Sequence, residues 1–250
     1  MLVPDNNAFG VFNTNGMLDW PFGVPLLRNN MIFHIIPGIK NETDLPAGPN
    51  GVITTLTGDS AFVSKNVRGI FINGSRIIPA AYDASNGVIH KISAMQIAAD
   101  GTVMQTLNAM LGLDSLRKAI NRIVTVPGGD PGFINLLSTG RVTFFAPEDP
   151  AFISLLQSLS LTDINQIPVS QLRSILQYQV IQGKVFMPDL PEGGQQTIGG
   201  GSFSVHWASP SQDIPFIRGT GNGGADLRFV TTNILCYNGV IHLTSSVLLP

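Results

Sequence analysis

Charge is what this chain has least of. Asp, Glu, Lys and Arg make up 12% of its 250 residues, where about 25% is usual for soluble domains. The few charges nearly cancel, 14 basic against 16 acidic, for a formal net charge of −2. Nucleic acid is gripped by a basic stripe, so it is excluded as a partner. Mean hydropathy is +0.25. A surface so poor in charge suits a sticky face that meets a partner.

Cysteine is almost missing too. Cys236 stands alone, so no intramolecular disulfide can form and cysteine usage does not settle the compartment. Within the apolar run Ile234-Leu235-Cys236-Tyr237 it reads as a small buried hydrophobe rather than a reactive thiol. No apolar run approaches the roughly 18 residues that a membrane helix needs. Met1-Leu2-Val3-Pro4-Asp5 has neither the basic nor the apolar region of a signal peptide.

Catalytic signatures are absent as well. The four histidines, His34, His90, His206 and His242, share no ligand-like spacing, so no metal is expected. There is no Gly-x-Ser-x-Gly elbow, and the acids are scattered rather than paired. Gly199-Gly200-Gly201-Ser202 lacks the Lys that a phosphate loop requires and reads as a turn between strands. No enzyme activity and no cofactor is expected. The sequons at Asn41-Glu42-Thr43 and Asn73-Gly74-Ser75 read as chance.

What the chain does have is a phrase written twice. Asn86-Gly87-Val88-Ile89-His90 returns as Asn238-Gly239-Val240-Ile241-His242. Asn-Gly favours a tight turn with positive φ, and the residues after it suit a buried strand. Other markers keep the same order. Leu2-Val3-Pro4-Asp5 with Phe9 answers Phe145-Ala146-Pro147-Glu148 with Phe152. Both read as a strand end, a proline break, a polar helix cap and an apolar helix start. Phe33-His34 answers Tyr178-Gln179, Asp-Leu-Pro occurs at 44–46 and 189–191, and Thr55-Leu56-Thr57-Gly58 answers Thr197-Ile198-Gly199-Gly200. Short alternating runs such as Ser202-Phe203-Ser204-Val205 predict antiparallel strands.

The copies differ at the front. Thr102 is placed to cap a helix with Val103, Leu107, Met110 and Leu111 on one face. Leu113, Leu116, Ile120 and Ile123 continue at helical spacing, and Asp130-Pro131 opens a third helix carrying Phe133, Leu136 and Leu137. The first copy has no counterpart and reads as trimmed at its N-terminus. The expected modules are 1–98, N-terminally incomplete, and 99–250, complete.

Taken together, these markers resemble the fasciclin domain. That resemblance implies an α+β fold, each module a β-wedge of short strands packed with a helical bundle. It also implies a non-enzymatic adhesion module, extracellular or at a cell surface, with any signal or anchor upstream of the chain shown. The family's shared residues would be Pro4, Asp5, Phe9, His34, Asn86, Gly87, His90, Pro147, Phe152, Tyr178, Asn238, Gly239 and His242. His90 and His242 would be core histidines, each satisfying a backbone group near the Pro-Asp/Glu marker. Neither copy keeps the family's Tyr-His pair, and no Arg-Gly-Asp is present, which argues against an integrin role. The missing cysteine pairs and the divergence from animal sequences lean towards a bacterial source.

Partners would be a protein or glycan at a cell surface or matrix, with a homo-oligomer possible. Trp20, Phe22, Phe186 and Trp207 lie in Pro/Gly-rich connections and are candidate contacts, unless each folds back over its own module. The segment 218–224 reads as a flexible hairpin tip. The competing reading is a lipid or pigment carrier with an apolar pocket between wedge and helices.

Overall fold

A computed structural model describes residues 1–10 and 23–250, with the side chains at 9, 10 and 23–26 outside that description. The chain forms two compact units, Met1–Ala98 and Ala99–Pro250. Each mixes helices and strands, an α+β architecture.

In the first unit, β1 (Leu2–Pro4) leads to α1 (Asn6–Gly10) and α2 (Gly23–Phe33). Then come β2 (Gly51–Thr54), β3 (Ser60–Asn66), β4 (Gly69–Ile72), β5 (Ser75–Ala84) and β6 (Gly87–Ile92). They make one sheet in the order β1-β6-β5-β4-β3-β2. The first strand pairs in parallel with the last, Leu2 opposite His90. Pro4 ends the strand, and the Asp5 carboxylate accepts from the Ala8 N–H at 2.8 Å, the cap that the Pro-Asp marker predicts.

The second unit opens with α3 (Val103–Ala109), α4 (Asp114–Thr125) and α5 (Phe133–Thr139). Thr102 forms a reciprocal capping box with Gln105. Leu113, Leu116, Ile120 and Ile123 are all buried. Helix α3 stops short of the expected Met110 and Leu111. Met110 ends it, Gly112 turns the chain at φ 75°, and Leu111 is 93% exposed. Asp130 does not cap α5 either; Gly132 is the N-cap, and the Asp130 carboxylate accepts from the Gly132 N–H.

Then follow β7 (Val142–Pro147), α6 (Asp149–Ser158), α7 (Val169–Tyr178) and β8 (Val180–Gln182). Next are β9 (Gly193–Gln196), β10 (Ser202–His206), β11 (Phe216–Arg218), β12 (Phe229–Leu235) and β13 (Gly239–Thr244). The order β12-β13-β7-β8 forms one sheet and β11-β10-β9 a second, bridged where Ile181 meets Thr197. Again first and last strands run parallel, His242 opposite Phe145.

Period-two alternation along β7 divides the interior. Val142, Phe144 and Ala146 face the helices, in one cluster with Leu116, Ile120, Ile123, Leu172, Leu176 and Ile241. Phe145 faces the other way, into a cluster with Tyr178, Phe203, Val205, Ile217 and Leu227 between the two sheets. With both faces covered, β13 is buried along its whole length, which is why it reads as an unbroken apolar run. Its counterpart β6 alternates instead, partly exposed at every second residue.

Candidate functional site

The repeated histidines are interior fittings. His242 is fully buried. Its Nδ1 accepts from the Asn233 N–H at 3.0 Å, and Nε2 donates to the Val185 carbonyl at 3.2 Å. The ring stacks on Phe145 with centroids 5.4 Å apart. Burial pushes its pKa down to about 4, with the Val185 bond opposing. The bonded groups lie on the β12 bulge and the 183–186 connection, not beside Pro147-Glu148 as the sequence suggested. Asn233 has φ 63° and interrupts the β12 register, so its N–H turns inward and needs an acceptor. His90 is buried as well, but it bonds the Lys40 carbonyl at 2.7 Å.

A second fitting holds the end of each unit. Gln179 donates to the Ile175 and Leu248 carbonyls at 2.9 and 2.6 Å and accepts from the Leu248 N–H at 3.2 Å. His34 does the same work: its Nδ1 bonds the Asn30 carbonyl at 2.6 Å, and Nε2 accepts from Gln96 N–H at 3.0 Å. Amide and imidazole are interchangeable here because each offers one donor and one acceptor. Burial lowers the His34 pKa, with the Asn30 bond opposing. The residues beside them, Phe33 and Tyr178, are also buried; the Tyr178 hydroxyl donates to Ser202 O at 2.5 Å.

Asn-Gly is used differently in the two units. Asn238 accepts from Val103 N–H at 2.8 Å and donates to Leu137 and Gly140 carbonyls at 3.1 and 2.7 Å, tying α3 and α5 to β13. A Cβ on Gly239 would fall 2.1 Å from Val142 O and 2.7 Å from Val103 Cγ2. In the first unit Asn86 is exposed, and a Cβ on Gly87 would meet nothing within 4 Å. Pro147 and Phe152 are buried. Glu148 caps α6 without a side-chain bond, while the Asp149 carboxylate accepts from Ser115 N–H at 2.6 Å, at the start of α4.

The proposed contact residues fare differently. Trp20 and Phe22 lie outside the described residues, as does the side chain of Phe9. Phe186 is fully buried, so it cannot meet a partner. Its connection is pinned inward where Met187 N–H donates to Asn233 Oδ1. Trp207 is half-buried against the inter-sheet core, and its ring N–H donates to the Leu190 carbonyl at 3.0 Å. Both fold back over their own unit. The segment 218–224 is no free tip: Gly221 N–H donates to Leu249 O, and the Asn222 amide bonds Val247 O and Leu249 N–H. The second sequon is closed, since buried Asn73 spends its amide on Gln96.

The outward face of β10 and β11 carries the cleft that the sequence reading missed. Ser204, His206, Phe216, Arg218 and Asp226 line an opening of about 190 Å³. Phe203, Val205 and Ile217 point into the core, so their alternate neighbours must point out. His206 lies opposite Phe216, and Ser204 opposite Arg218. Phe216 is 43% exposed. Arg218 donates through Nε and Nη2 to Asp226 Oδ1 at 3.1 and 2.8 Å. Glu192 holds His206 Nδ1 through one oxygen and the Trp207 N–H through the other, each at 2.9 Å. The alternation Phe216-Ile217-Arg218 was the available signal. Two residues on either side of Ile217 are too few to stand out in a sequence.

A cleft this small lies below the roughly 300–1,000 Å³ that encloses a whole small ligand. Between helices and sheet, where a carrier would keep its cargo, Phe133 meets Phe144 edge-on at 6.5 Å amid fully buried aliphatic residues. Among the described residues no three His, Cys, Asp or Glu side chains converge as metal ligands, and no helix is long and apolar enough to cross a membrane.

Comparison with known proteins adds three findings. The fasciclin domain family model matches residues 1–97 and 129–250. A fasciclin-like arabinogalactan protein of Arthroderma benhamiae is 28% identical over 241 residues, 90% of this chain and 51% of that protein. The chain thus spans about half the length of the curated relative it matches. A solved FAS1 domain pair from the insect cell adhesion molecule Fasciclin I aligns with 100% of this chain and 88% of its own, at a TM-score of 0.49 and 17% identity.

Proposed function

Because the chain belongs to the fasciclin domain family, we propose that it is a non-enzymatic adhesion protein, acting by association with a protein or a glycan. Fasciclin domains are typically extracellular, adhesion-type modules, and this chain carries two of them in tandem. Secretion or display at a cell surface follows from that role.

The observation that carries the reading is the cleft on β10 and β11. It offers an exposed aromatic ring beside polar groups on a rigid sheet, open to solvent, at a scale that meets part of a larger molecule. In the second unit the shared residues His242, Tyr178 and Asn238, and Gln179 beside Tyr178, all bond backbone groups of their own unit. Recognition therefore falls to outward residues. With a net charge of −2, long-range steering contributes little and association is short-ranged.

Beads coated with the protein test this. They should adhere to cells or extracellular matrix, and a Phe216→Ala, Arg218→Ala double variant should adhere markedly less while melting at the same temperature. Equal adhesion by the folded variant rejects the cleft as the contact site.

A further inference from the structure

We propose that the β10–β11 face is a glycan-binding site for a neutral oligosaccharide, seating one sugar ring against Phe216 with its hydroxyls between Arg218 and Asp226. The inference rests on the adhesive reading above and names its ligand.

Charge argues first. The lining contains one cation and one anion, Arg218 and Asp226, and they are bonded to each other. A site for uronate or sulfate would need a net positive field, and this one has cancelled its own. What remains is local polarity of both kinds. Both guanidinium bonds converge on Asp226 Oδ1, which leaves Oδ2 and Nη1 outside the pair. A carboxylate only accepts and a guanidinium only donates. A sugar diol, each hydroxyl of which does both, matches that pairing, and the planar groups hold two neighbouring hydroxyls at once. Ser204, whose hydroxyl donates to the Arg218 carbonyl at 3.4 Å, adds an acceptor oxygen in the same row.

The aromatic group argues second. Phe216 exposes 43% of its surface although every apolar neighbour in its sheet is buried. The apolar C–H face of a pyranose is a partner for such a ring: area is buried while the polar edge stays free for Arg218 and Asp226. His206 stands directly across from Phe216 and is held by Glu192, so the rim of the ring is already ordered.

Shape argues third. Gly194 lies opposite Ser204 on the adjoining strand, on the same outward face, and a Cβ there would meet nothing within 4 Å. The floor is therefore flat and unobstructed beside the cleft. A flat floor admits the next sugar of a chain, and the modest volume admits only part of it at a time.

The test is saturation-transfer NMR and titration calorimetry on the full chain. The probes are neutral galacto-, gluco- and manno-oligosaccharides beside oligogalacturonate and heparan sulfate fragments. At least one neutral series should bind, with affinity insensitive to salt. Phe216→Ala and Arg218→Ala should each weaken it by about tenfold, the scale of one lost anchor. Gly194→Tyr should block it without lowering the melting temperature, and Leu111→Ala, at an exposed position in the same unit, should change nothing. The proposal is overturned if no neutral glycan binds, if the anionic probes bind more tightly and are released by salt, or if the cleft variants bind as well as the parent. Adhesion that survives glycosidase treatment of cells but not protease treatment also overturns it in favour of a protein partner, and leaves the adhesive function standing.

Discussion

Replacing His242 is the most informative single change. The imidazole accepts from Asn233 N–H and donates to Val185 O inside a fully buried site. In His242→Ala the Asn233 N–H loses this buried acceptor, at about 1–3 kcal/mol. The void against Phe145 and Phe229 adds ~2 kcal/mol, while the carbonyl, at 3.2 Å, tolerates its loss better than a donor does. The sum is about 3–5 kcal/mol, or a fall of roughly 6–20 °C for a unit of this size. His242→Asn keeps an oxygen near the Nδ1 position and should recover about 1–2 kcal/mol. The pH dependence gives an independent reading. Burial holds the folded pKa near 4, below the ordinary value of about 6.5. Between those values the unfolded chain binds the extra proton, so stability rises with pH. The contribution is complete above about pH 6.5 and is lost as pH falls towards 4, on the order of 3 kcal/mol in all. Urea melts across that range measure it, with hydrogen exchange of the 239–244 segment assigning the transition to the second unit. An unchanged melt in His242→Ala, identical Ala and Asn variants, or an intact pH slope in His242→Asn would refute the reasoning.

Further tests address the other fittings. Gln179→Ala should cost about 2–3 kcal/mol and speed exchange of the Leu248 amide, whereas Gln179→His, copying the His34 arrangement, should restore much of it. The single thiol is fully buried, and that burial pushes its pKa up to about 11; a thiol reagent at pH 8 should leave Cys236 unmodified until urea unfolds the second unit. Gly239→Ala should destabilise by about 1–3 kcal/mol or more as its Cβ meets the Val142 carbonyl, while Gly87→Ala stays near neutral; paired thermal melts decide it. Asn238→Ala should release α3 and α5, seen as faster exchange at Val103, with Asn86→Ala as the silent counterpart.

Some of this protein was settled by the order of its residues. Pro before an acid and apolar residues at helical spacing in α4 are local preferences, set by backbone sterics and by the period of each element, whereas neither Asn-Gly pair of the repeated phrase takes the positive φ expected of it. Such preferences act over a few residues, so most of the helices could be read from them, while the repeated markers gave the duplication and the core position of His242, and the family resemblance implied the α+β class. Tertiary structure decided the rest. Only parallel pairing of β7 with β13, nearly a hundred residues apart in the chain, puts Phe145 against His242. Only the bulge at Asn233 determines which N–H the imidazole must satisfy. Phe186 and Phe216 both follow turn-rich connections, yet one is sealed in the core and the other stands beside Arg218 on an open face. Which way a side chain points depends on the register of its strand against partners far along the chain. A single residue's shift in that register would exchange the two faces.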